Sequence, residues 1–198
     1  MISGNDIQRN LNGAWRLMLG KRDGLRAFDL SADGFWDSFF AIALALPAMM
    51  VSWIGVTGDI MLGPVEMSGL GLMLRLAVID LSAWVLPLVV LIAVAPKLGL
   101  GNRVVPYVIA TNWGSVILSW MMLPASLVRL LLPDATDLAT LVSFVLFLLA
   151  MALSWRLTNH SIGKGPAIAT AVFVGMFALS LMVLFSLQSL LGISAPAA

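Results

Sequence analysis

The sequence predicts an all-α polytopic membrane helix bundle, about five transmembrane helices preceded by an N-terminal amphipathic helix. Three observations predict it. Of 198 residues, 61% are hydrophobic and 11% charged, which is more apolar surface than a soluble core of this length buries. Five apolar runs reach the roughly 20 residues that a helix rising about 1.5 Å per residue needs to cross the hydrocarbon. Nine of the eleven lysines and arginines fall in alternate connecting segments, as expected of a chain that crosses and returns.

The N-terminal segment, residues 1–34, is mixed and polar before the first long apolar run. That order predicts a retained first span and no cleaved signal. Within it, Ile7, Leu11, Ala14, Trp15 and Met18 share one helical face while Arg9, Asn12 and Arg16 fall largely elsewhere, the pattern of an amphipathic helix. Asn5 with Gln8 three residues on forms a candidate capping pair, and Gly20 or Gly24 ends the helix. Such a helix is expected to lie on the membrane or pack beneath the bundle, with protein docking as the sharper alternative. Asp29, Asp33 and Asp37 then alternate with aromatic residues, and Ser31 or Asp33 is placed to cap the first span.

The spanning domain covers residues 35–191 and leaves a tail at 192–198. The first span, 35–56, carries Pro47 near its middle, which predicts a kink. The second, 70–95, is interrupted by Arg75 and Asp80 and contains Pro87. The third, 104–123, has Pro106 in its first turn, where a missing amide costs little, and Pro124 marks its exit. The fourth, 138–155, follows Asp134, Thr136 and Asp137, each a candidate cap. The fifth, 166–191, holds no charge. Positive-inside asymmetry places Arg9, Arg16, Lys21, Arg22, Arg26, Lys97, Arg103, Arg156 and Lys164 on the cytoplasmic side, with Arg75, Arg129, Asp59, Glu66, Asp134 and Asp137 opposite. The N-terminus is then cytoplasmic and the C-terminus external, as expected in a bacterial inner membrane.

Asp80 is the most informative single residue, because it lies about ten residues, or about 15 Å, inside its span, where an ionised carboxylate is costly. Arg75 is about 140° round the same helix, so a neighbouring helix is the better source of a partner. The third span carries Thr111, Asn112, Ser115 and Ser119. Asn112 reaches a depth comparable with that of Asp80 in an antiparallel neighbour, which makes Asp80 to Asn112 the expected contact. Arg75 is expected to snorkel outward. The functional reading of Asp80 is a proton or ion relay; the plain one is a structural hydrogen bond, favoured because no second acid or histidine sits at mid-membrane depth.

Ala167, Ala171 and Gly175 form a small-xxx-small row, as do Ala41 and Ala45, suited to packing within the bundle or, as the sharper hypothesis, to homodimerisation. Arg156, His160 and Lys164 lie in or beside the stretch 158–165, read as a loop able to hold a lipid phosphate; a plain basic loop explains it equally well. There are no cysteines and one histidine, His160, so no multi-histidine or thiolate metal site is expected. No G-x-S-x-G, H-E-x-x-H, P-loop or dinucleotide fingerprint occurs, and no cofactor is expected. A net charge of +1 supplies no field to attract nucleic acid.

The five-span topology, the stretch DIMLGP at 59–64 and the run VPYVIATN at 105–112 resemble the bacterial form of the Yip (Ypt-interacting protein) membrane protein family. In that family an Asp-Leu-Tyr/Trp-Gly-Pro stretch precedes a span; here the stretch is one residue longer and follows the first span. The resemblance implies membrane organisation through protein contacts, without catalytic chemistry. The first expectation is therefore a non-enzymatic scaffold or accessory subunit partnered by the bilayer and by other membrane proteins or a second copy. The alternative is a small transporter or proton-conducting subunit using Asp80.

Overall fold

Apolar residues occupy every face of the five long helices, so each is stable only when lipid or another helix covers it. The computed structural model describes residues 2–63, 67–132 and 134–193; Glu66, Pro64 at the end of the DIMLGP stretch and the tail from residue 194 lie outside the described residues. The chain is an all-α polytopic bundle. An N-terminal helix α1 (Gly4–Met18) and a short helix α2 (Ala32–Asp37) precede α3 (Phe40–Met61), α4 (Gly69–Val94), α5 (Val104–Leu131), α6 (Thr136–Ile162) and α7 (Pro166–Leu190). Helices α3 to α7 are long and apolar enough to cross a membrane. The outer surface carries large apolar side chains such as Leu141, Phe144, Leu148, Met182 and Phe185, each more than half exposed, which is the pattern of a lipid-facing wall.

The five long helices close into a ring. α5 packs on α3 and α6, α6 on α7, α7 on α4 and α4 back on α3, while α4 and α5 face each other with little direct contact. α3 packs closely on α5, with Ala41 of the predicted small-residue row buried against Ile109, Ala110 and Trp113, and Ala45 buried one turn on. The mean hydropathy of the span ending in α5 is 1.5, against 2.1 to 2.5 for the others. This deficit reflects the polar face that α5 turns inward.

Several span boundaries differ from the sequence expectation. The first starts at Phe40 because α2, capped by the Ser31 hydroxyl on the Gly34 amide (3.1 Å), ends in a turn at Ser38 before α3 begins. The third passes through Pro124 and continues to Leu131; where no water can satisfy free peptide groups, losing one hydrogen bond costs less than ending the helix. The fourth starts at Thr136 without a side-chain cap, so Asp134, Thr136 and Asp137 do not act as predicted. It also runs on to Ile162, turning most of the supposed loop at 158–165 into helix, with Gly163 at φ 64° closing its C-terminus. The second and fifth spans lie within a residue of their expected limits.

Helix α1 is held against the bundle. Ala14, Leu17 and Met18 are fully buried against Ile109, Ala110 and Trp113 of α5 and Leu153 and Leu157 of α6. Trp15, expected on the apolar face, is 42% exposed, and Leu17 takes its place inside. The cap is Ser3 with Asp6, a full capping box, in place of the expected Asn5 and Gln8. The predicted stop at Gly20 is present: its φ of 88° closes a Schellman turn in which the Lys21 amide donates to the Arg16 carbonyl (2.8 Å). A 3-10 turn over residues 22–27 folds back so tightly that a side chain at Gly24 would meet the Gly13 carbonyl at 2.5 Å. Asp23 pairs with Arg16 there, and the hydrogen bond from that guanidinium holds its carboxyl below the usual value.

Candidate functional site

The ring of helices borders an open cavity of about 450 Å³ to which all five contribute. Its polar lining begins on α5, where Tyr107, Thr111, Ser115 and Ser119 recur every four residues and so share one face, with Ser126 continuing it two turns on. At about 1.5 Å per residue this track extends nearly 30 Å, close to the thickness of the hydrocarbon. Ser52 of α3, Ser154 of α6 and Ser180 of α7 face it, and α4 brings Asp80 and Trp84. The Thr111 hydroxyl is buried in the wall beside Tyr107, one turn back on the same face.

Asp80 does not meet Asn112. Its Oδ2 accepts a hydrogen bond from Trp53 Nε1 of α3 at 2.7 Å, and Trp53 is itself buried. Asn112 is engaged one turn away: its Oδ1 accepts from Trp84 Nε1 (3.0 Å) and its Nδ2 donates to Ser38 Oγ (2.9 Å). Asp80 and Trp84 are four residues apart on one face of α4. Two tryptophan N–H groups therefore take the positions in which sequence reasoning placed a direct Asp–Asn bond. The expectation failed because it sought a partner for Asp80 only among the polar residues of the third span, whereas a tryptophan indole is also a donor. Ser38 Oγ in turn donates to the Phe35 carbonyl (2.7 Å), so the Asn112 network fixes the turn between α2 and α3.

The cavity wall also repairs a break that a proline makes. Pro87 has no amide to offer Ala83 four residues earlier, and the Ser180 hydroxyl of α7 donates to that carbonyl at 3.0 Å. Outside the cavity, the Leu44 carbonyl beside Pro47 receives Trp120 Nε1 of α5 at 2.9 Å, although the carbonyl that Pro47 leaves free is that of Ala43. Both prolines lie within continuous helices.

The remaining sequence candidates serve other ends. Arg75 does not snorkel freely outward; it donates to the Leu191 carbonyl at the C-terminus of α7, where a cation also meets the negative end of the helix dipole. Arg156 does the same for α1, donating to the Leu19 carbonyl at 3.2 Å, and Lys164 for the turn after α4, donating to the Gly99 carbonyl. His160 Nδ1 lies 2.6 Å from the Arg156 carbonyl one turn back. These three residues do not form one headgroup cluster; Arg156 and Lys164 tie helix ends together at the N-terminal face. Ala167, Ala171 and Gly175 are exposed, with Ala171 and Gly175 lining an apolar groove between α4 and α7, so the row does not pack within the bundle. Among the described residues no group of three or more His, Asp or Glu side chains is placed to hold a metal ion. Compared with family models, curated proteins and solved structures, the chain gives no match.

Proposed function

We propose that the protein is a small membrane transporter whose central cavity is its solute-binding site and whose Asp80 carboxylate meets a proton or cation in transit. One observation carries the reading: all five spanning helices converge on a 450 Å³ cavity holding a carboxylate and a track of hydroxyls about as long as the membrane is thick. Cavities of a few hundred Å³ with a few convergent polar groups are what small-molecule sites look like. A carboxylate kept only for helix packing needs no such space around it, and intramembrane acids facing a cavity mark transport paths more often than they mark structure. The nine-to-two distribution of lysines and arginines supports a cytoplasmic N-terminal face in a bacterial inner membrane. The reading is non-enzymatic.

Proteoliposomes test it. Wild-type protein should carry an ion or proton current across a vesicle membrane under an imposed gradient, and Asp80→Asn should reduce it to that of empty vesicles while eluting as the same species in detergent. Equal currents from the two proteins, or none from the wild type under either gradient, would remove the transport reading.

The exposed Ala167, Ala171 and Gly175 row favours a second reading, a scaffold or accessory subunit of the Yip-like kind that pairs through α7. Its signature is a disulfide between cysteines placed at Gly175 in two copies in native membranes; monomers alone after oxidation count against it.

A further inference from the structure

We infer that the cargo of the central cavity is a small lipophilic organic cation, an aryl- or alkylammonium; this rests on the transport reading above. Charge decides the sign. Asp80 is the single carboxylate among the residues lining the cavity, and no lysine, arginine or histidine lines it, so an anion would be drawn into an uncompensated negative field. The nature of the walls decides the class. Trp84 and Tyr107 line one region, and Phe173 and Phe177 of α7 lie nearly parallel, 7° apart with centroids at 6.4 Å. Aromatic rings lining one cavity with a carboxylate are the recognition chemistry of quaternary and substituted ammonium groups, whose diffuse charge is cheap to desolvate and is attracted to the ring quadrupole.

Met49, Met122, Met151 and Met176 complete the apolar wall. Their thioether side chains are unbranched and polarizable, so they reshape around varied hydrocarbon groups. A hard inorganic cation fits poorly. Magnesium and calcium need six or more oxygen ligands, and here one carboxylate stands among scattered hydroxyls and much hydrocarbon. A proton alone needs neither the volume nor the aromatic walls. The hydroxyls of Ser115, Ser119 and Ser126 offer the ammonium end neutral dipoles along the axis of the bundle.

An isosteric pair separates charge recognition from greasiness. Phenyltrimethylammonium and tert-butylbenzene have the same shape and differ in one charge. Purified full-length protein in detergent should bind phenyltrimethylammonium saturably, quenching tryptophan emission, and tert-butylbenzene should compete at least about tenfold less well. Asp80→Asn should weaken cation binding by about tenfold or more, and Phe177→Ala by about threefold, with the neutral compound little affected by the first change. Equal competition by tert-butylbenzene would show a plain apolar slot and overturn the inference, as would unchanged cation affinity in Asp80→Asn. The comparison of the two ligands on wild-type protein decides the matter even if a variant fails to fold. If the cation does not bind but Asp80-dependent proton current persists, the cargo assignment is wrong and the transport reading stands; if both are absent, the two fall together.

Discussion

Replacing Asn112 with leucine should destabilise the folded bundle by about 2 to 4 kcal/mol, the cost of stranding one donor, the Trp84 indole, and one acceptor, the Ser38 hydroxyl oxygen, in a buried site. Asn112 is fully buried, and its amide is the junction between Trp84 of α4 and Ser38 ahead of α3, two segments that meet at this level through no other hydrogen bond among the described residues. Leucine fills similar volume, so the loss reports the polar connections and not a void. The Trp84 indole N–H loses its acceptor, and the Ser38 hydroxyl keeps its bond to the Phe35 carbonyl and loses the amide it accepts. Unfolding by a denaturing detergent, followed by far-ultraviolet circular dichroism, measures the change. A shift under about 0.5 kcal/mol, the size of an ordinary surface substitution, would mean that the junction does not hold the bundle.

A double-mutant cycle on Trp53 and Asp80 should return the second large effect. The indole donates to the carboxylate at 2.7 Å across the α3–α4 seam, and hydrogen bonds to charged or strongly polar groups contribute about 1.5 to 3 kcal/mol. Trp53→Phe should therefore cost about 2 to 3 kcal/mol in the wild-type background but about 1.5 kcal/mol less than that once Asp80 is leucine, because the partner that suffers has gone. The remaining cost is lost packing against Leu72, Leu76 and Ile79. Equal costs in both backgrounds would show that the two side chains are not coupled.

The sequence disclosed the number of spanning helices and most of the ends that rest on hydrophobicity, because a helix in lipid is fixed by length and by the absence of charge. It misplaced ends that rest on backbone satisfaction: α5 through Pro124 and α6 to Ile162 both continue because a peptide group left free in an apolar setting costs more than an awkward residue within a helix. Of the candidate site, Asp80 was legible, as was the polarity of Thr111, Ser115 and Ser119. The regular spacing that links these with Tyr107 into one face was present in the sequence and went unused, since hydroxyls in apolar helices commonly bond their own backbone. The cavity itself was not legible. It exists because α4 and α5 are held apart across the ring while each packs on α3, an arrangement set by helix order and not by local pattern. The roles of Arg75, Arg156 and Lys164 were hidden for a related reason: which carbonyl a long cation reaches depends on which helix ends nearby, here Leu191, Leu19 and Gly99, each far away in the chain.

The proposed transport needs the track on α5 to line a passage open to water and cations, and the chain's lack of native cysteines allows a direct test. Single cysteines at Ser115, Ser119 and, as a lipid-facing control, at Leu148 can be offered membrane-impermeant methanethiosulfonate reagents in intact vesicles. In such a passage the two cavity cysteines react, the cationic trimethylammonioethyl reagent outpaces the anionic ethylsulfonate, Asp80→Asn erases that preference, and Leu148→Cys stays unlabelled. Ser115→Cys and Ser119→Cys as inert as the lipid-facing control, or labelled without regard to charge, would contradict it.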